Sequence, residues 1–192
     1  GAQIGSLNIQ RGSFDGVQVG LVNISDDADF ALGLLNIVRN GRTHLEMTAN
    51  SEGFVQVAAK HGGAHWHYLY SVLARPFSEG DNDAVYGFGL GMGARITPSE
   101  RLFVDLDVLG HWMSDGDVGN AGTETLAQGR VLVGFQVFDR VALVAGLSYN
   151  VVSAYRDPSS YGTFGETVLH DDEFGDWTVR GFPSVSLGVQ IF

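Results

Sequence analysis

From residue 42 onward apolar and non-apolar residues alternate with period two, and the two faces this generates have opposite chemistry. Over 84–96 one face reads Tyr86, Phe88, Leu90, Met92, Ala94 and Ile96; the other reads Gly87, Gly89, Gly91, Gly93 and Arg95. Over 101–113, Leu102, Val104, Leu106, Val108 and Trp112 oppose Phe103, Asp105, Asp107, Leu109 and His111. Over 65–75, Trp66, Tyr68, Tyr70, Val72 and Ala74 oppose His65, His67, Ser71 and Arg75. A sheet face turned to water is rich in Lys and Glu. A row of glycines with sparse, mixed charge suits a crowded barrel interior instead. The pattern predicts an all-β fold, a closed antiparallel transmembrane β-barrel with its apolar face on lipid. Closure follows because an open edge in lipid leaves backbone groups unpaired.

The chain of 192 residues is long enough for one such domain, 1–192. No run approaches the ~18–20 apolar residues of a membrane-spanning helix, whereas a barrel strand needs only ~9–11. Glycine is abundant, with 27 residues, and cysteine is absent. Disulfides and thiolate metal sites are thereby excluded. The net charge of −11 argues against nucleic acid as a partner. No signal peptide is visible, so an exported protein is expected to be represented here in mature form.

Strands are predicted near 42–49, 53–60, 65–75, 84–96, 101–113, 126–138, 140–152 and 181–191. The first 40 residues add an internal repeat: Ile4-Gly5-Ser6-Leu7-Asn8-Ile9, Val19-Gly20-Leu21-Val22-Asn23-Ile24 and Leu32-Gly33-Leu34-Leu35-Asn36-Ile37. Its asparagines are spaced by 15 and then 13 residues. Each unit reads as one short strand plus a turn, and Asn40-Gly41 reads as a hairpin turn into the next strand. Counting the repeats as wall strands gives ten to twelve strands, with twelve preferred if one more lies within 160–180. The segments 25–30, 50–52, 77–83, 114–125 and 153–180 are assigned to one end. They carry acidic clusters such as Asp26, Asp27, Asp29, Asp81, Asp83, Asp115, Asp171 and Asp172. That end is expected to be extracellular, as the long loops of outer-membrane barrels are.

Two resemblances support export. The terminal Val185-Ser186-Leu187-Gly188-Val189-Gln190-Ile191-Phe192 resembles the last strand of bacterial outer-membrane barrels, which ends in Phe and is read by the barrel-assembly machinery. Here Phe192 falls on the face opposite Val185, Leu187, Val189 and Ile191. The Gly-x-x-Asn repeats, followed by Val38-Arg39-Asn40-Gly41, resemble an uncharacterised family of bacterial surface-repeat proteins over about the first 75 residues. That implies a cell-surface location and no reaction.

The predicted lumen network is Arg95, Arg101, Asp105, Asp107, His111 and Arg130, in which the arginines neutralise the aspartates. The predicted lipid-facing girdle is Trp66, Tyr68, Tyr86, Trp112 and Tyr149. Two chemical alternatives exist. His65 and His67, roughly 7 Å apart on one face by strand rise, with His61 nearby, are a candidate metal pair. His111, Ser114 and Glu124 are the candidate residues of a lipid-modifying acyl hydrolase. Their spacing departs from the His-x-Ser of lipid A deacylase barrels, and no Gly-x-Ser-x-Gly elbow is present. The acidic loops are candidates for Ca²⁺ or Mg²⁺ shared with lipopolysaccharide phosphates. The expected role is a structural, surface-interaction or narrow-pore barrel without catalysis. Its expected partners are outer-membrane lipid, lipopolysaccharide, the assembly machinery and a protein at the surface. The remaining alternative is a soluble β-barrel binding an apolar ligand, with the faces inverted.

Overall fold

The computed structural model describes residues 1–63, 65–75, 85–114, 124–155 and 168–192, without the side chains of 13–15 and 27–29. Two sheets are present. The first comprises β1 (Ala2–Ile4), β2 (Leu7–Val19), β3 (Val22–Leu32) and β4 (Leu35–Val38), all parallel neighbours in that order. The second comprises β5 (Arg42–Asn50), β6 (Val55–Gly62), β7 (Trp66–Arg75), β8 (Val85–Ile96), β9 (Leu102–Ser114), β10 (Glu124–Phe138), β11 (Val141–Tyr155), β12 (His170–Phe174) and β13 (Trp177–Ile191). Strands β5 to β11 pair antiparallel in sequence order. β13 closes the ring by pairing with both β11 and β5.

The barrel therefore has eight strands, not ten to twelve. All eight wall strands correspond to segments read from the alternation. The strand within 160–180 exists as β12, but it pairs only with β13 and adds nothing to the wall. The repeats are not wall strands either. Period-two alternation is common to antiparallel barrels and parallel coils, so it does not separate them. The Asn40-Gly41 turn accordingly joins two sheets and makes no hairpin. The Arg39 and Asn40 amides donate to the Ser25 and Asp26 carbonyls, continuing the stack of the first sheet before the chain enters β5.

The first sheet is a two-faced parallel solenoid. Leu7–Gln10, Val22–Ser25 and β4 stack on one face; β1, Val17–Val19 and Phe30–Leu32 stack on the other. The repeat is explained by what lies between the faces. Asn8 donates to Asn23 Oδ1 (2.8 Å) and Asn23 to Asn36 Oδ1 (2.7 Å), a buried ladder that also reaches the Val19, Leu32 and Gly33 carbonyls. A Cβ at Gly20 or Gly33 would collide with the carbonyl of the glycine one coil away, which explains why the turn residue recurs with the asparagine.

In the barrel, the short connections 63–65, 97–101 and 139–140 share one end with the start of β5 and with Phe192. The turn 51–54 and the long connections share the other. Gly53 supplies the positive φ (78°) that the 51–54 turn needs, and Asn50 Oδ1 accepts from the Glu52 and Phe54 amides. Segment 25–30 is not on that long-loop rim, contrary to expectation. It belongs to the solenoid, where Asp26 pairs with Arg39 beside the short-turn end.

Replacing Asn23 by Ala removes two donations and leaves a buried acceptor on Asn36 unpaired, a cost of about 1–3 kcal/mol. Hydrogen exchange should therefore accelerate at the amides of Val22–Ser25 and β4 while the barrel amides stay protected. Unchanged protection in the solenoid would contradict the ladder's role.

Candidate functional site

Alternate residues of the eight wall strands point into the lumen, and their polar members meet near its middle. Lys60 Nζ contacts Glu46 Oε2 (2.8 Å), Asp105 Oδ2 (2.7 Å) and Asp107 Oδ2 (3.0 Å). Arg130 contacts Glu46 Oε1 (2.7 Å) and Asp107 Oδ2 (2.9 Å), and donates to Gln56. Arg95 forks onto Asp105 with two 2.7 Å hydrogen bonds and also donates to Gln190. His67 Nε2 lies 2.7 Å from Asp107 Oδ1. Three carboxylates face three permanent cations, and Lys60, Glu46, Asp105 and Gln190 are fully buried. A buried charge survives only with such partners.

The glycine row on β8 makes the room. A Cβ at Gly89 would strike His111 and Ser71; one at Gly93 would strike Asp107 and His67; one at Gly87 would strike Met113. Side chains of β7 and β9 thus lean across β8. An apolar layer fills the long-loop end, and Phe192 narrows the short-turn end beside a cavity of about 500 Å³ lined by Arg42, His44, Arg95 and Asp139. Phe54, Leu73, Val85, Met113, Leu126, Val152 and Phe182 pack together at the long-loop end. At the short-turn end Phe192 packs edge-on to Phe103 and His44 and beneath Arg95. The inward face of Phe192, anomalous against the terminal-strand pattern, is what lets it narrow the lumen. A space lined by Thr48, Gln56, Gln128, Asn150 and Ser186 measures about 10 Å³, room for one water at most.

Of the predicted network, Arg95, Asp105, Asp107 and Arg130 come together. Arg101 does not: it sits exposed in the β8–β9 turn. His111 points inward but meets Gln56 (3.2 Å) and Ser71 (3.0 Å), not the aspartates. The hydrolase constellation is not assembled. Strand alternation puts His111 and Glu124 on the lumen side and Ser114 on the opposite side, beside Tyr86, Phe88 and Trp112. The metal pair is not assembled either, because His65 precedes β7 and is exposed. His67 does cluster with Asp105 and Asp107. Those carboxylates already face Lys60, Arg95 and Arg130, which makes a poor cation site. Lys60 and Glu46 escaped the sequence reading; the legible signal was the lone lysine of the chain at an inward position of the Val55-Gln56-Val57-Ala58-Ala59-Lys60 alternation.

The outer wall is the complement. Among the described residues, no outward position on the eight strands carries Asp, Glu, Lys or Arg. Trp66, Tyr86, Trp112 and Tyr149 are exposed there, as are Leu45, Phe88, Val108, Leu147 and Leu187. A soluble barrel with an apolar ligand chamber would need the reverse arrangement. Tyr68 departs from the girdle: it is only 6% exposed, because the last coil of the solenoid lies over it. Tyr68 exchanges hydrogen bonds with the Ala31 amide (2.7 Å) and carbonyl. The Asn36 amide donates to the Tyr70 hydroxyl (3.0 Å) and the Val38 amide to His61 Nε2 (3.0 Å). With Nε2 accepting, His61 Nδ1 carries the proton and donates to Thr43 Oγ1 (2.8 Å). Three outward side chains thus cap the solenoid edge that no further strand covers. The acidic segments 76–84 and 115–123 lie outside the described residues, as do the side chains of Asp27 and Asp29.

No protein-family model matches the chain, and no curated protein does. Among solved structures the chain is similar to a de novo designed transmembrane β-barrel, at 10% identity and a TM-score of 0.41, covering 78% of this chain and 91% of that one.

Two tests follow. Lys60→Met leaves three buried carboxylates facing only Arg95 and Arg130 and should cost about 3–5 kcal/mol, read as a lower urea midpoint; an unchanged midpoint would refute the cluster. Lys60 of the folded protein should also resist an amine-acylating reagent and react once unfolded, as peptide mapping will show.

Proposed function

We propose that this protein is a non-catalytic, non-conducting barrel of the bacterial outer membrane, serving as a structural and surface-interaction element. The observation that carries the reading is the partition of charge. Among the described residues the outward positions of the wall hold none of the four charged residue types, and the lumen holds a neutralised cluster of six. In water that arrangement exposes an apolar belt on every side and buries ions at cost. In lipid the apolar exterior is favourable and the lumen is the place where charge avoids hydrocarbon; an apolar band ~25 Å tall with flanking aromatics is what a bilayer requires.

What supports a closed lumen is its filling. An eight-stranded barrel has an interior just wide enough for side chains. Here the ionic middle is flanked by the Phe54–Phe182 layer and by Phe192. Function then resides on the surfaces: acyl chains along the belt, lipopolysaccharide and divalent cations at the acidic long loops, and a protein partner beyond them. The terminal strand is offered to the assembly machinery during insertion.

Protein refolded into a planar bilayer should give no conductance steps, while migrating on gels as a heat-modifiable band. Reproducible steps would contradict the closed lumen. Recovery of folded protein in buffer without detergent would contradict the membrane reading itself.

A further inference from the structure

The solenoid repeats the barrel's inversion of polarity. Between its two faces lie Asn8, Asn23, Asn36, Gln18 and Ser25, all buried. On its outside lie Ile4 (84% exposed), Leu7 (58%), Leu21 (62%) and Leu34 (60%), together with Ile9, Val17, Val19, Leu35 and Ile37. A coil made for water puts its aliphatic residues inside. This one puts amides inside, joins them in ladders, and leaves its aliphatic residues uncovered.

Among the described side chains its charges are confined to one corner. Arg11, Asp26 and Arg39 lie there, with Asp26 accepting from the Gly12 amide (2.8 Å) and pairing with Arg39 (3.4 Å). That corner leads through Gly41 into β5, at the short-turn end of the barrel. The opposite corner is Gly5-Ser6, Gly20-Leu21 and Gly33-Leu34, without a charge. Gly33 borders the outward residues Leu90 and Met92, midway along β8. The coil thus hangs from the short-turn rim and ends at the middle of the wall. The four residues of β4 span roughly 13 Å at ~3.3 Å each, about half of a ~25 Å apolar band.

We propose that the solenoid is a re-entrant element, the outer faces of its β3 and β4 rows and its Leu21–Leu34 corner immersed in the acyl chains of the leaflet on the barrel's short-turn side. This rests on the reading of the barrel as membrane-spanning. The occupant is lipid because the apolar surface is continuous with the barrel's belt and stops where the charged corner begins. At the barrel-side edge the Ala31, Asn36 and Val38 amides and the Ala31 carbonyl are met by Tyr68, Tyr70 and His61, the kind of pairing hydrocarbon demands. The far edge, β1 with Leu7–Gln10, is the row that hydrocarbon does not suit, so the lipid contact is assigned to the rows of β3 and β4 and to the Leu21–Leu34 corner.

The chain has no cysteine, so single labels can be placed without background. Bimane is attached to Leu21→Cys, Leu34→Cys, the belt position Leu147→Cys and the charged-corner position Arg11→Cys, and each protein is reconstituted into vesicles of dibrominated phosphatidylcholine. All four positions are exposed, so substitution leaves packing intact. The proposal expects bromine quenching at 21 and 34 equal to that at 147, with 11 reached by aqueous iodide instead. Quenching at 147 with iodide access at 21 and 34 overturns the proposal and leaves the barrel reading standing. Protection of 21 and 34 from both quenchers also overturns it, since a protein then covers the corner. No bromine quenching at 147 overturns both readings together.

Discussion

The only lysine of the chain sits at the centre of the barrel, with Glu46, Asp105 and Asp107 around its ammonium group. Much of the rest follows from that contact. Eight strands leave a bore that side chains must fill, and filling it with ions demands that charge cancel within the cluster. Arg130 and Arg95 complete the cancellation. The side chains of β7 and β9 reach the centre only because β8 presents glycine inward at alternate positions. An apolar layer covers the ions at the long-loop end, and Phe192 packs beside Arg95 and Phe103 at the other.

The outer surface obeys the converse demand. With every wall strand paired on both sides, the barrel has no free edge among its described residues, and its side chains need only be apolar. The solenoid has edges by construction. The barrel supplies Tyr68, Tyr70 and His61, polar outward groups in an otherwise apolar wall, at the places where solenoid amides and a carbonyl need partners. In isolation Tyr68 reads as a girdle residue, Tyr70 as one more member of an outward face and His61 as a neighbour of the candidate metal pair; their partners emerge only once the two sheets are docked.

How much of this was legible follows from what each signal measures. Alternation located all eight wall strands and assigned Tyr86 and Phe88 outward and Gly87–Gly93 inward, because a face shared by i and i+2 is a local property. It also placed Asp105, Asp107, Arg95 and Arg130 on a common interior. It did not separate Leu7–Ile9 or Leu35–Ile37 from wall strands, since direction of pairing leaves no trace in a short apolar alternation. Arg101 and His65 failed as interior residues because each lies just outside its strand, where alternation no longer governs direction. Lys60 and Glu46 were missed for another reason: their partners come from strands far along the chain, and no local pattern marks such a meeting.

The account stands on the outer wall facing hydrocarbon, and all three tryptophans, Trp66, Trp112 and Trp177, lie on that wall. The most direct measurement is intrinsic tryptophan fluorescence of the intact protein in phosphatidylcholine vesicles, with and without bromine on the acyl chains. Blue-shifted emission that the brominated lipid quenches strongly is the expected result. Emission unaffected by bromine, in protein that folds and remains dispersed in plain buffer, would contradict it.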